Sequence, residues 1–227
     1  ELRNAGSYGI SLSLAVLASG RFNQGQYDQA ARDFSESLEE ARRADHAYSI
    51  AVAMSGLGRS LLALSQPDAA RNHLIEARER FDELTIAPGI VDCTVFLGVA
   101  ERDLGDPHAA ARHLFAALTE TGIHWSDDAD LWTLQFAASV IPDRAAAAVL
   151  VGAVTAGYDR SDMEQPAFVM GELGAVRRRL EFELEAEELA RHIRTGERRS
   201  RAEAVDIGRA SLTEYIADDR TSDDQVT

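Results

Sequence analysis

Histidine, cysteine and arginine are the residue types in this chain that could bind a metal ion, attack a substrate or hold a phosphate. His108 and His113 are five residues apart, which places them on different faces of a helix and disfavours a shared metal ion. Cys93 is the only cysteine, and no histidine or basic residue stands near it in the sequence, so we predict a buried or half-buried structural thiol rather than a nucleophile. These residues therefore predict no metal site and no cofactor.

A cluster of arginines near the end of the chain could contact phosphate groups. Acidic residues interleave with it, which predicts a salt-bridged helix end instead. The arginines are Arg191, Arg194, Arg198, Arg199 and Arg201, and the acidic residues are Glu187, Glu188, Glu197 and Glu203. The formal net charge is −15, and such a surface repels phosphates, so we predict no direct contact with nucleic acid.

The sequence contains none of the common catalytic motifs. It lacks the P-loop, the G-x-S-x-G nucleophile turn, the H-E-x-x-H metal pair and the G-x-G-x-x-G dinucleotide fingerprint, so we predict that the chain is not an enzyme. It also lacks a run of 18 apolar residues and a secretory leader, and its lone cysteine allows no internal disulfide, which predicts a cytoplasmic protein without membrane contact. Arginine supplies all 23 basic residues, a composition typical of high-GC bacteria. Because the chain begins with Glu1 rather than methionine, we expect it to be a fragment of a larger protein.

Helices must position these side chains, since the chain is 45% hydrophobic, has only five prolines and shows helical periodicity over long stretches. A 40-residue unit is written three times. Similar residues recur at its fixed places: Leu17, Leu57 and Leu97; Ala30, Ala70 and Ala110; Phe34, Leu74 and Leu114; Ser37, Ala77 and Ala117. We expect Gly58 and Ala70 to mark the crossing of two helices in one hairpin, and Phe34 and Leu74 to fill the space toward the next hairpin. One hairpin cannot bury its own apolar faces, so we predict an all-α stack of hairpins.

Each unit is predicted to hold two helices joined by a turn. The predicted helices cover residues 6–24, 27–44, 48–64, 67–84, 90–104 and 107–121. Pro67 and Pro107 suit the first turn of a helix, where the missing N–H is tolerated. Asp45-His46 and Pro88-Gly89 are predicted to separate one unit from the next.

The pattern weakens in the second half of the chain. A fourth, degenerate unit is predicted over residues 127–157, with Ser126 or Asp127 as its N-cap. The predicted helices there cover residues 127–141 and 144–156, then 164–193 as one long or broken helix, and finally 201–216. Residues 217–227 are acidic, which predicts a disordered tail.

The three complete units resemble the tetratricopeptide repeat (TPR) family. The resemblance rests on Leu57-Gly58, Ala70, Leu74 and Ala77 and on their copies. It departs from the family pattern in its period of 40 rather than 34 residues and in Leu14, Met54 and Thr94, which replace the usual tryptophan. It implies an all-α, TPR-like α–α superhelix, a helical-hairpin solenoid, over residues 7–158. Its units would cover 11–44, 48–84, 90–122 and 127–157, with capping helices over 164–216.

The end of the chain resembles the terminal cap of the repeat region in large actinobacterial STAND/LuxR-type ATPase transcriptional regulators. Residues 150–154 stand at the place of an alanine-rich helix in that family, and Gly196 with residues 200–205 at the place of a following turn. This resemblance implies a module used in signal transduction and transcription regulation. The ATPase domain of the regulator itself would then be one candidate partner.

The TPR resemblance also implies a concave groove lined by the first helix of each unit. Its candidate ligand- or partner-binding residues are Ser19, Phe22, Asn23, Ser55, Arg59, Leu62, Val99, Arg102 and Asp103, flanked by Leu12, Ala15, Val52, Ala63, Asp92 and Val95. An apolar floor with a few polar groups suits an extended peptide or an amphipathic helix. The lysines and asparagines with which chaperone-binding members hold a C-terminal carboxylate are missing, which disfavours that ligand. Alternatively, these residues only pack against the C-terminal helices folding back into the groove.

We therefore predict a non-catalytic protein-interaction or sensor module of a larger bacterial regulator, which binds a peptide, a partner protein or an effector in its groove. Two alternatives stay open: a stand-alone TPR adaptor or scaffold, and a domain that binds a small-molecule effector. Ile207, Leu212 and Ile216 on the last helix could form a homodimer or could cap the stack.

Overall fold

The computed structural model describes residues 2–120, 129–161 and 164–223, and these residues form α-helices without any strand. The helices are α1 (Leu2–Asn23), α2 (Tyr27–Arg43), α3 (Ala47–Ala63), α4 (Pro67–Glu83), α5 (Ala87–Asp103), α6 (Pro107–Glu120), α7 (Ala129–Val140), α8 (Arg144–Arg160), α9 (Ala167–Glu183), α10 (Ala186–Glu197) and α11 (Arg201–Asp223). This confirms the predicted all-α class of TPR-like helical hairpins. The predicted N-cap at Ser126 or Asp127 lies outside the described residues, as do residues 224–227 of the predicted tail.

The chain divides into two compact units. The first comprises Glu1–Leu104 together with Pro166–Phe168, and the second comprises Gly105–Gln165 together with Val169–Thr227. The first unit therefore contains α1 to α5 and the beginning of α9. No helix in the described ranges combines the length and the apolar character needed to cross a membrane.

A left-handed residue ends a helix at positions 25, 45, 65, 85 and 105, an interval of 20 residues. These residues are Gly25, Asp45, Ser65, Thr85 and Gly105, with φ between +50° and +87°. At the first four turns, the amide of the following residue donates to a carbonyl five residues back, as from Gln26 to Arg21 (2.9 Å). This is the Schellman closure of a helix C-terminus. The 40-residue repeat therefore consists of two 20-residue halves, each of which ends in a turn of the same type.

The predicted break at Pro88-Gly89 is wrong. The chain turns at Thr85, and α5 already begins at Ala87, so Pro88 and Gly89 lie in its first turn. Proline is tolerated there because the first N–H groups of a helix have no partner within the helix. The break at Asp45-His46 lies where it was predicted, with Asp45 as the left-handed residue.

In the first unit, large apolar side chains of one helix pack against glycines of the neighbouring helix. A Cβ on Gly58 would meet Leu74 and the carbonyl of Ala70, which confirms the predicted crossing within this hairpin. Phe34 of α2 lies over Gly56 of α3 in the next hairpin, as predicted. Leu74, in contrast, lies against its own hairpin at Gly58.

The second unit contains α6 to α8, α10, α11 and α9 from Val169 onward. The predicted 164–193 helix is broken: α9 ends at Glu183, and α10 begins at Ala186. Ser200 and Glu203 then form a capping box at the start of α11, in which the Ser200 amide donates to Glu203 (2.7 Å) and the Glu203 amide donates to Ser200 Oγ (3.3 Å). The hydrogen bonds that the Ser200 amide and hydroxyl donate to the Glu203 carboxyl lower its pKa.

The last helix extends to Asp223, whereas we predicted its end at Ile216 and a disordered tail from residue 217 onward. Neither proline nor glycine stands between Ile216 and Asp223, so no helix-stopping residue ends α11 at the predicted place. Of the three apolar residues considered for this helix, Leu212 is fully buried within the second unit, whereas Ile207 and Ile216 are half-buried.

Candidate functional site

The first helices of the three hairpins, α1, α3 and α5, lie side by side in the first unit, α3 in contact with both α1 and α5. This is the arrangement that the predicted groove requires. Each of these helices contributes side chains from the predicted set, and two places bring several of them together: a cluster around Arg59 and a cavity between α1 and α3.

Arg59 stands at the centre of the first place. Its guanidinium carbon lies 5.6 Å from the ring centroid of Phe22 on α1 and 5.6 Å from that of Phe96 on α5. Both distances fall within the range of cation–π attraction. The charge of one arginine on α3 is therefore held by aromatic rings from the helices on either side of it.

Asp92 and Ser55 complete the polar surroundings of this arginine. The Ser55 hydroxyl donates to Asp92 Oδ2 (3.0 Å), and Arg59 Nη1 lies 3.8 Å from Asp92 Oδ1, which is an ion pair without a close hydrogen bond. The Nε atom of Arg59 is buried and has no hydrogen-bond partner among the described residues. A buried guanidinium N–H without an acceptor is costly, so this donor is available to an acceptor supplied by a ligand.

The ring of Phe168 occupies the space beside these residues. Its centroid lies 5.9 Å from that of Phe22, 6.3 Å from that of Phe96 and 6.5 Å from that of Tyr27, the last nearly edge-on at 87°. The Phe168 residue is only 8% exposed. We call the cluster of Phe22, Tyr27, Arg59 and Phe96 the Phe168 site. Its occupant is a residue from the beginning of α9, in line with the alternative that a C-terminal segment packs on part of the predicted groove.

A second place is an open cavity of about 230 Å³ between α1 and α3. Its lining is mainly apolar and includes two of the flanking groove residues from α1 and one from α3: Leu12, Ala15 and Val52, next to Ser11, Val16, Ser19, Tyr48 and Ser49. The Ser19 hydroxyl donates to the carbonyl of Ala15 in its own helix (2.8 Å). A small apolar ligand group would fit this cavity better than a charged one.

The structure does not unite all nine predicted residues in one site. Phe22, Ser55 and Arg59 come together around the Phe168 site. Ser19 lines the cavity, and Asn23 is exposed at the end of α1. The other four lie elsewhere: Leu62 and Val99 in the core, and Arg102 and Asp103 in an ion pair with each other (2.8 Å) at the end of α5.

Sequence reasoning missed Tyr27, Phe96 and Phe168. Phe96 could have been noticed in the sequence, because the 40-residue register aligns it with Gly56. A phenylalanine at the place of a glycine needs different neighbours from those in the preceding unit. Tyr27 belongs to a second helix, which the groove assignment did not consider. Phe168 gave no signal, since nothing in its local sequence indicates a contact with α1 or α5.

The histidines and Cys93, which could have bound a metal ion or attacked a substrate, are placed as follows. No group of three metal-binding side chains occurs in the part of the chain that the structure describes, and His108 stacks on Tyr215 with centroids 4.2 Å apart. Cys93 is fully buried, as predicted, and burial raises the pKa of its thiol to about 12, with the nearby Asp92 charge adding to the shift. The thiol is therefore neutral at physiological pH and a poor nucleophile.

The arginine cluster near α10 and α11 forms ion pairs within the second unit, as predicted. Arg199 lies 3.1 Å from Glu203, and Arg201 lies 2.9 Å from Asp130. These pairs occupy arginines that phosphate would otherwise contact.

Comparison with known proteins supports the repeat in the first unit. Residues 10–83 match the family model of the tetratricopeptide repeat. Searches of curated proteins and of solved structures found no match. The matched residues cover most of α1 and all of α2, α3 and α4, so these two stacked helical hairpins are similar to tetratricopeptide repeats.

Proposed function

We propose that the chain is a non-catalytic protein-interaction module that binds a peptide segment of a partner across α1, α3 and α5. The observation that carries this proposal is the packing of the Phe168 ring against Phe22 and Phe96. The packing of the chain's own aromatic side chain supports a ligand that places one ring against Phe22 and Phe96 with Arg59 beside them. A partner segment that brings an aromatic side chain and a hydrogen-bond acceptor would satisfy both the rings and the free Nε of Arg59.

The energies favour a ligand longer than one residue. Burial of one aromatic side chain stabilises a complex by roughly 2–3 kcal/mol, and a desolvated cation–π contact adds about 1–2 kcal/mol. A micromolar complex needs about 8 kcal/mol. The cavity between α1 and α3 can supply a further apolar contact.

Selection of displayed peptides tests the proposal. A random phage-displayed peptide library is panned against the wild-type chain and against Phe168→Ala, in which the site is vacated. We expect aromatic peptides to be enriched more strongly on Phe168→Ala. Their binding should be lost in Phe168→Ala/Arg59→Leu and kept in Phe168→Ala/Arg80→Leu, since Arg80 pairs with Glu76 on α4. Equal binding to both double variants would refute the groove proposal.

We further infer that this module belongs to a larger bacterial transcriptional regulator, in the cytoplasm, and acts there as a sensor. The support is the resemblance of residues 150–154 and 196–205 to the terminal cap of such regulators, and the place of Gly152 and Gly196 at a helix crossing. The complete open reading frame tests this inference. A nucleotide-binding domain in the same polypeptide is expected, and its absence would favour a stand-alone adaptor.

The cavity between α1 and α3 favours small-molecule sensing as a second candidate. Its volume of about 230 Å³ and mainly apolar lining suit a small apolar group. A thermal-shift screen of metabolites tests it, with Leu12→Trp as the variant that fills the cavity. A metabolite that stabilises the wild-type chain but not Leu12→Trp supports this function, and a panel without any such response counts against it.

A further inference from the structure

Asp92 is an acidic residue of α5 that lies next to the Phe168 site. Its side chain is 31% exposed, and 3.8 Å separates its Oδ1 atom from Arg59 Nη1, which is longer than a hydrogen bond. Among the described residues, one hydrogen bond reaches this carboxylate, from the Ser55 hydroxyl to Oδ2 (3.0 Å). A carboxylate can accept about four hydrogen bonds. Most of this acceptor capacity is therefore left for a donor that comes from outside the cluster.

The Arg59 guanidinium is held by aromatic rings rather than by Asp92. Its carbon lies 5.6 Å from the ring centroid of Phe22 and 5.6 Å from that of Phe96, within the range of cation–π attraction. The buried Arg59 Nε has no hydrogen-bond partner among the residues that the structure describes. A positive and a negative group thus lie side by side, and each keeps hydrogen-bonding capacity that a bound segment can use.

The charge balance of the chain favours a cationic donor at Asp92. The formal net charge is −15, and a negative surface attracts positively charged groups and repels negative ones. A hydrogen bond from a lysine or arginine to a carboxylate is roughly twice as strong as one between neutral groups. An acidic side chain at the same place would meet both the Asp92 carboxylate and the negative charge of the whole chain.

We propose that Asp92 determines the charge specificity of the Phe168 site and selects partner segments in which a lysine or arginine stands near the aromatic residue. This inference rests on the proposed function, because it names the class of segment that the site binds. The aromatic side chain takes the place of Phe168, an acceptor of the segment meets Arg59 Nε, and the basic side chain donates to Asp92. Segments with an acidic residue at that position are rejected by the like charge.

A phage-displayed library of nine-residue peptides with phenylalanine fixed at the centre tests this specificity. The library is panned on Phe168→Ala, on Phe168→Ala/Asp92→Asn and on Phe168→Ala/Asp103→Asn, and sequencing gives the ratio of basic to acidic residues at each variable position. Asp103→Asn is the matched control, because Asp103 also lies on α5, has a side chain that is 30% exposed and pairs with Arg102. Both substitutions remove one negative charge, so they weaken the long-range attraction of the chain for cations equally.

We expect the ratio of basic to acidic residues to reach about tenfold at one or more positions on Phe168→Ala. The ratio should fall by about fivefold or more when Asp92→Asn is added, and by less than about twofold when Asp103→Asn is added. Fluorescence anisotropy of one enriched peptide, and of its copy with glutamine in place of the basic residue, measures the same preference as an affinity ratio.

Two kinds of failure are distinguishable. A ratio near one on Phe168→Ala, or an equal fall with Asp92→Asn and Asp103→Asn, would overturn the specificity and leave the proposed function standing. Equal capture of this library and of one with alanine at the centre would refute the proposed function and this inference with it. Circular dichroism checks that each variant folds. The same comparison of Asp92→Asn with Asp103→Asn is repeated with Phe168 kept, since a ratio between peptides on one protein does not depend on how strongly Phe168 competes.

Discussion

Gly152 of α8 and Gly196 of α10 form a close helix crossing in the second unit. A Cβ on Gly152 would overlap the carbonyl oxygen of Ile193, and a Cβ on Gly196 would overlap that of Val149. Each glycine thus lies against the backbone of the opposite helix. Because backbone cannot move aside as a flexible side chain can, neither position tolerates a methyl group without separation of the helices.

Gly196→Ala is expected to destabilise the second unit by about 3 kcal/mol, at the upper end of the usual cost of overpacking. Urea unfolding followed by tryptophan fluorescence measures the change. Gly171→Ala is the control, since Gly171 lies in α9 with nothing within 4 Å of a new Cβ, and it should raise stability by up to about 1 kcal/mol. Similar stability of both variants would contradict the close crossing.

Phe168→Ala is expected to lower the free energy of unfolding by about 3 kcal/mol, because it empties the space between Phe22 and Phe96. Phe182→Ala provides the comparison on the same helix: Phe182 is 93% exposed, so its loss should cost almost nothing. Urea unfolding followed by circular dichroism distinguishes the two. Equal effects would mean that Phe168 does not occupy its site in solution.

Thr85→Gly is expected to stabilise the first unit by about 1 kcal/mol. Thr85 has a φ of +57°, a left-handed conformation that is unfavourable for a β-branched residue and accessible to glycine. Gly25→Ala at the equivalent turn, where φ is +78°, should have the opposite effect of similar size. Urea midpoints of the two variants, shifted in opposite directions from wild type, would support the common turn geometry.

Cys93 is expected to make stability fall at alkaline pH. Its folded pKa is raised from 9.0 to about 12, so the folded state holds the thiol proton where the unfolded state has released it. This contribution is fully present below pH 9 and is lost as the pH rises from about 9 to 12, at about 1.4 kcal/mol per pH unit. The slope between pH 9 and 10.5 should be shallower in Cys93→Ala than in wild type. A thiol reagent at pH 8 should label the wild-type chain only after denaturation.

The helices of the first unit could be predicted from the sequence because the 40-residue register repeats the same apolar places. One turn was missed although this register carries it, since Thr85 stands 40 residues after Asp45. Thr85 ends α4 in the left-handed conformation that Gly25 adopts at an equivalent turn, whereas local propensity assigns the break to the nearby Pro88-Gly89. The packing of α4 on α5 overrides the local preference of threonine.

The candidate site was predicted less completely than the fold. Arg59 and Phe22 followed from the resemblance to the TPR family, whose groove-facing positions map onto the first helix of each unit. Phe168 did not, because its partners Phe22 and Phe96 lie far from it along the chain and its own helix has no repeat to compare with. A long-range contact made by one aromatic residue leaves no periodic trace in the sequence.

The turns at Asp45 and Thr85 have the same geometry, so backbone alone would allow one 40-residue unit to be removed and the ends rejoined. Side-chain volume forbids this. Phe34 lies over Gly56, whereas the corresponding place on α5 holds Phe96, and removal of the middle unit would press one phenylalanine onto another. The hairpins are therefore not interchangeable copies. The hairpins share one turn geometry, but the different sizes of their packing residues fix the place of each hairpin in the order of the stack.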